Sequence, residues 1–200
     1  MNISKYLVIM IVLLLMSCGP SMNFLPDSVM KLTIGVTTKE QIQSLFGEAK
    51  SDEISLIGGL KSEILTYQYM KSPDYAPRHN IKYLYMELVN NKLNGFIYSN
   101  SFDNGSTDFD GNLVDSLIVN KTTRDEITII LGNQYSELLL PSNLLKQPMV
   151  NGKIPLGAKE CMIYTYLYFE DYKPQYKLCV LFFDSNRILL DKFYSQKYFK

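Results

Sequence analysis

The chain has 200 residues, 46% hydrophobic and 20% charged, a balance that supports a packed core in an ordinary soluble body. Lys+Arg and Asp+Glu stand at 20 each with no block of like charge, which excludes a nucleic-acid partner drawn by net basic charge. The unusual feature is aromatic: 15 Tyr and 10 Phe with no Trp.

Met1 to Ser17 carries one charged side chain, Lys5, and then an uninterrupted apolar run from Tyr6 to Met16. That run is too short to span a bilayer, which takes about 20 residues, and it suits the core of a signal peptide. It ends in Leu15-Met16-Ser17-Cys18, which resembles the lipobox of bacterial lipoproteins. Their leader is cleaved before the cysteine, the sulfur takes a diacylglycerol, and the amine is usually acylated. The resemblance implies lipidation at Cys18; the bland alternative is a secretory signal with an incidental cysteine. Several acyl chains anchor stably where one is marginal. Gly19 follows, with no Asp to resemble the inner-membrane retention signal, so the outer membrane is favoured. Residues 18–29, with Pro20 and Pro26 and no period, read as a tether.

Two stretches then match. Thr37-Thr38-Lys39-Glu40 opens an apolar stripe (Ile42, Leu45, Phe46) that stops at Gly47. Thr122-Thr123-Arg124-Asp125 opens another (Ile127, Ile130, Leu131) that stops at Gly132. Each predicts a short helix with a capping box between the first threonine and the acid, one buried face, and a left-handed exit at glycine. Strand patterns follow each: Ile54–Ile57, Leu60–Met70, Ile81–Val89 and Leu93–Tyr98, then Tyr135–Leu140, Met162–Phe169, Tyr176–Asp184 and Ile188–Tyr194. Asn90-Asn91 and Ser185-Asn186 supply turns. The expected fold class is α+β: two tandem repeats, 30–102 and 114–200, each a short helical N-terminal part packed on a three- or four-stranded antiparallel sheet. Residues 103–113 between them, rich in Asp, Asn and Gly, predict a solvated linker. An EF-hand started at Asp108 fails, with Leu113 at its Gly position and Val119 at its closing Glu position.

Gly35-x-Thr37 through Gly47, the Leu131-Gly132 helix end and the turn Asn91-Lys92-Leu93 resemble the SmpA/OmlA (BamE-like) lipoprotein domain. That domain belongs to a wider group that includes the beta-lactamase inhibitor protein, where tandem copies form a concave, aromatic-rich binding surface. Asn120 stands where the first copy has Gly35. The resemblance implies helices in front of an antiparallel sheet and a role in binding protein.

If helices cover one sheet face with Leu84, Met86 and Leu88 as core, then Tyr83 and Tyr85 lie on the other. Tyrosine is large, stiff and polar at its tip, a residue suited to partner surfaces. The expected protein-binding patch is Tyr67, Tyr69, Tyr83, Tyr85, Tyr164, Tyr166 and Tyr168 on an open face. The competing reading has these rings half-buried or covered by the other repeat.

Cys161 and Cys179 are either bridged or two buried thiols; a hairpin turning at Glu170–Gln175 sets them out of register for a bridge. His79, in a Pro-flanked stretch, reads as solvated. No Cys-x-x-Cys, His-Glu-x-x-His, Gly-x-Ser-x-Gly or phosphate-cradling loop occurs. No metal or small-molecule cofactor is expected. The sequence therefore predicts a non-enzymatic, lipid-anchored protein-binding or scaffold module of the bacterial envelope, concerned with outer-membrane assembly or maintenance. An inhibitor or sensor of an envelope enzyme is the alternative, and an unrecognised enzyme the second.

Overall fold

The computed structural model describes residues 23–49, 51–57, 59–71, 78–103, 105–146, 154–171 and 173–198. The leader and Cys18 lie outside the described residues. Two helices, α1 (Pro26–Val29) and α2 (Lys39–Phe46), precede strands β1 (Ser51–Ile57), β2 (Leu60–Lys71), β3 (Arg78–Val89) and β4 (Lys92–Asn100). A 3-10 turn (Gly111–Ser116) leads to α3 (Arg124–Leu131) and β5 (Ser136–Leu139). A second 3-10 turn (Asn143–Lys146) precedes β6 (Glu160–Glu170), β7 (Lys173–Phe183) and β8 (Leu189–Tyr198).

The two principal helices start alike, one residue later than the capping pattern suggests. Thr38 and Thr123 are the N-caps, with Gln41 and Glu126 completing reciprocal capping boxes. The first threonines do other work. Thr37 Oγ1 accepts the Thr33 amide at 2.8 Å, and Thr122 Oγ1 accepts the Ile118 amide at 2.7 Å, closing the turn before each helix. Asn120 keeps the left-handed backbone of Gly35, with φ of 60° against 75°. Both residues donate their amide to the strand that ends the half, Gly35 to Leu93 O at 2.8 Å and Asn120 to Leu189 O at 2.7 Å. Asparagine tolerates that conformation, so the exchange preserves the turn.

Each helix buries its apolar stripe on the nearest strands. Ile42 and Phe46 join Leu65, Tyr67, Leu84, Met86 and Leu88 in a first core. Ile127 and Leu131 join Met162, Tyr164, Cys179, Leu181 and Phe183 in a second. One cation ties each helix to its sheet: Lys39 pairs with Glu63, and Arg124 with both Glu160 at 3.0 Å and Glu137.

The α+β class of tandem helix-on-sheet repeats is overturned. The described residues are mostly β, 48% strand against 19% helical. Its strands form one eight-stranded antiparallel sheet in sequence order, and β3 also pairs with β6, so β3 to β6 close into a four-stranded barrel. The reason is edge pairing. A sheet ending at β4 exposes unpaired amides and carbonyls, and the second half supplies strands to take them. Gly95 faces Leu138 across that junction. A side chain there would bring a Cβ to 2.6 Å from the Glu137 carbonyl and the Leu138 Cα, so glycine permits the approach. At the far side Arg78 and His79 pair with Glu170 and Phe169. Hydroxyls reinforce the seam. Ser136 Oγ accepts the Tyr98 amide at 2.8 Å, Ser99 Oγ accepts the Leu167 amide at 3.0 Å, and Thr107 Oγ1 donates to Thr165 O at 2.7 Å.

Two connecting segments are also more ordered than expected. In the supposed solvated linker, Thr107 and Phe109 are buried, and the Phe109 ring lies 5.6 Å from that of Tyr164. In the supposed tether, Phe24 and Val29 are buried in the first core. Gly95→Ala decides whether the junction is as close as it stands. In an ordinary strand the change stabilises; here overpacking should cost about 1–3 kcal/mol, read as a lower urea midpoint. A raised midpoint contradicts the close approach.

Candidate binding surface

Closing the sheet on itself produces a third core from the faces that the helices leave uncovered. Ile97, Leu138, Leu144, Cys161, Ile163, Leu178, Val180 and Phe182 fill it. Ile64, Tyr83, Tyr176 and Phe193 pack against it half-buried, forming its rim. The Tyr83 hydroxyl sits 3.0 Å from Thr165 Oγ1, and its ring lies 5.3 Å from that of Tyr85. Burial, and to a lesser degree the neighbouring Tyr85, pushes the Tyr83 hydroxyl up to about 12, which fixes it as a neutral hydrogen-bonding group. Tyr85 remains 38% exposed.

The seven tyrosines expected on one open face are divided between the two sides of the sheet. Tyr67 is cross-strand from Leu84 and Tyr164 from Cys179, which places both on the helix-covered side. Both are buried, and their hydroxyls do matching work: Tyr67 donates to Gly47 O at 3.0 Å and Tyr164 to Gly132 O at 2.8 Å, satisfying the carbonyl at each helix end. Tyr69 stacks on Phe102 at 5.7 Å. Tyr166 is buried and lies 5.5 Å from half-buried Tyr168. Only Tyr83 and Tyr85 of the seven point away from the helices. The structure brings Tyr83 together with Ile64, Tyr176 and Phe193, which sequence reasoning left aside, and sets Tyr85 beside Tyr83.

Beside that rim lies a buried polar cluster the sequence reading also passed over. Glu87 is fully buried. It accepts from Ser62 Oγ at 2.7 Å, the Asn143 amide at 2.9 Å and Asn94 Nδ2 at 3.0 Å. Asn143 Nδ2 donates in turn to Ser55 Oγ at 2.9 Å. The cluster pins the Asn143–Lys146 turn to the sheet, and that turn delivers Leu144 to the third core. A carboxylate alternating with Tyr83 and Tyr85 in mid-strand was the available signal.

A buried cation, Lys82, holds the segment that leads into α1. Lys82 Nζ donates to Asn23 Oδ1 at 3.0 Å and to Phe24 O at 3.2 Å, and lies 5.1 Å from the Phe102 ring centroid. Burial lowers its pKa below the ordinary lysine value.

Cys161 and Cys179 are free thiols. Cys161 faces the third core and Cys179 the second, on opposite sides of the sheet. Burial pushes the Cys179 thiol up to about 12 and raises that of Cys161 as well, which disfavours the thiolate. His79 is buried in β3 rather than solvated, because the strand begins at Arg78 and draws it into the pairing with β6. Among the described residues, no three His, Cys, Asp or Glu side chains gather to hold a metal ion. Among the same residues, no helix is long and apolar enough to cross a membrane.

Removing Glu87 tests the polar cluster. Glu87→Ala strands two buried donors, the Ser62 hydroxyl and the Asn143 amide, while Asn94 Nδ2 keeps Leu139 O and Pro141 O; it should cost at least about 2 kcal/mol, while Glu87→Gln, which keeps one carbonyl oxygen, should cost clearly less. Equal urea midpoints for the alanine variant and the parent contradict the assignment.

Against this geometry, no protein-family model, curated protein or solved structure in the comparisons matches the chain.

Proposed function

We propose that this chain is a lipid-anchored, non-catalytic protein-binding or scaffold module of the bacterial cell envelope, attached through Cys18 and acting at the outer membrane. The observation that carries the reading is the leader: an apolar run from Tyr6 to Met16 that ends in Leu15-Met16-Ser17-Cys18. The likeness of the two helix motifs to the SmpA/OmlA group points the same way. Against catalysis stand the apolar burial of both thiols and the absence of a recognisable catalytic spacing in the sequence. The contact surface is the rim at Tyr85, whose ring is exposed and stiffened by Tyr83. The partner is an envelope protein.

Two variants test this. Cys18→Ser should abolish acyl labelling and release the chain from the membrane fraction; retention and labelling as in the parent contradict the anchor. Tyr85→Ala should lower the yield of in-cell crosslinks to protein partners by several-fold with little change in melting temperature. Unaltered crosslinking contradicts the rim as the contact. Recovery of one soluble hydrolase, rather than membrane-assembly components, supports an inhibitor in place of a scaffold.

A further inference from the structure

The sequence places Cys18 only five residue steps before Asn23, and that length limits how far the body can stand from its anchor. Lys82 grips Asn23 and Phe24, and the Phe24 ring packs edge-on to Phe46 at 5.9 Å. Pro26 lies against Gly105, so close that a Cβ at that glycine would fall 2.7 Å from Pro26 Cγ. The body is therefore locked to the chain from Asn23 onward. Five residue steps separate Cys18 from Asn23, which at full extension span at most about 18 Å. A lipidated Cys18 lies at the headgroup level, so Asn23 cannot stand farther than that from the bilayer surface. The surface around Asn23 and α1 is therefore the part of the body held nearest the headgroups.

The side it turns down is marked by exposed apolar residues. Leu25 is 61% exposed and Met30 62% exposed, flanking α1, while their neighbours Phe24 and Val29 point inward. Leu25 is the N-cap and Met30 the C-cap of this single-turn helix, so the two exposed side chains stand at its two ends, close after Asn23. Apolar side chains presented beside an acyl anchor favour the headgroup–acyl boundary, where burying them adds to the anchor's hold.

We infer that the α1 face is a membrane-docking surface: Leu25 and Met30 rest in the interfacial layer of the bilayer that holds Cys18, and the body lies against the membrane instead of hanging free. This rests on the lipoprotein reading above. The contact leaves Tyr85 and the rim for a protein partner.

The test uses lipidated full-length protein reconstituted into vesicles of phosphatidylethanolamine with phosphatidylglycerol. Nitroxide labels are placed singly at Leu25→Cys, Met30→Cys and, as a control on α3, Ile129→Cys, where the parent residue is 83% exposed. The native thiols Cys161 and Cys179 are buried and Cys18 is acylated, so labelling is directed to the new site. Accessibility to oxygen relative to a water-soluble nickel chelate should be several-fold higher at positions 25 and 30 than at 129. Equal ratios at all three sites, in protein that floats with the vesicles and carries acyl mass on Cys18, overturn the docking surface but leave the anchor intact. Absence of acyl mass on Cys18 overturns the anchor and the docking surface together.

Discussion

The fold depends on the seam where β4 meets β5 and β3 meets β6. Without it, two small sheets would each carry an open edge and an uncovered apolar face, and each would bury too little surface to be stable alone. The seam removes both liabilities at once. Gly95 supplies the room, the serine and threonine hydroxyls take up amides and carbonyls at the junction, and the two uncovered faces become the walls of a shared core.

Around that seam the halves keep a common internal logic. A threonine closes the turn before each helix, a second caps it, a tyrosine hydroxyl satisfies its terminal glycine carbonyl, and one cation ties it to the sheet. These contacts are local, which is why the sequence announces them. The asymmetries lie elsewhere. The Glu87 cluster belongs to the first half and reaches into the second through Asn143, while the Thr107–Phe109 strap runs from the first half into the second core. Functional difference between the halves is expected at such places.

The legible part of the fold was therefore the local part. The stripes Ile42 with Phe46 and Ile127 with Leu131 are buried, and alternation in β3 separates Tyr83 and Tyr85 from Leu84, Met86 and Leu88. Closure was not read, although a signal existed. Leu178 to Phe183 is apolar at every position, the mark of a strand buried on both faces, which leaves no open face for that strand. The misplaced Tyr67 has a different cause. A long connection joins β2 to β3, so turn chemistry could not set their register, and the side of the sheet that Tyr67 occupies had no local determinant. Tyr164 was recoverable, since the Glu170–Gln175 hairpin puts it on the same side as the apolar Cys179. For Glu87 the local signal is only its alternation with Tyr83 and Tyr85, and its partners Ser62, Asn94 and Asn143 are scattered along the chain.

Amide hydrogen exchange across the seam tests the account most directly. The Tyr98 amide, held by Ser136, and the Leu167 amide, held by Ser99, are the reporters. If the halves form one closed sheet, both should exchange only through global unfolding, with the same protection as Leu84 in the first core and Leu181 in the second. Rapid exchange at Tyr98 and Leu167 while Leu84 and Leu181 stay protected would mean two independent sheets, and would contradict the account.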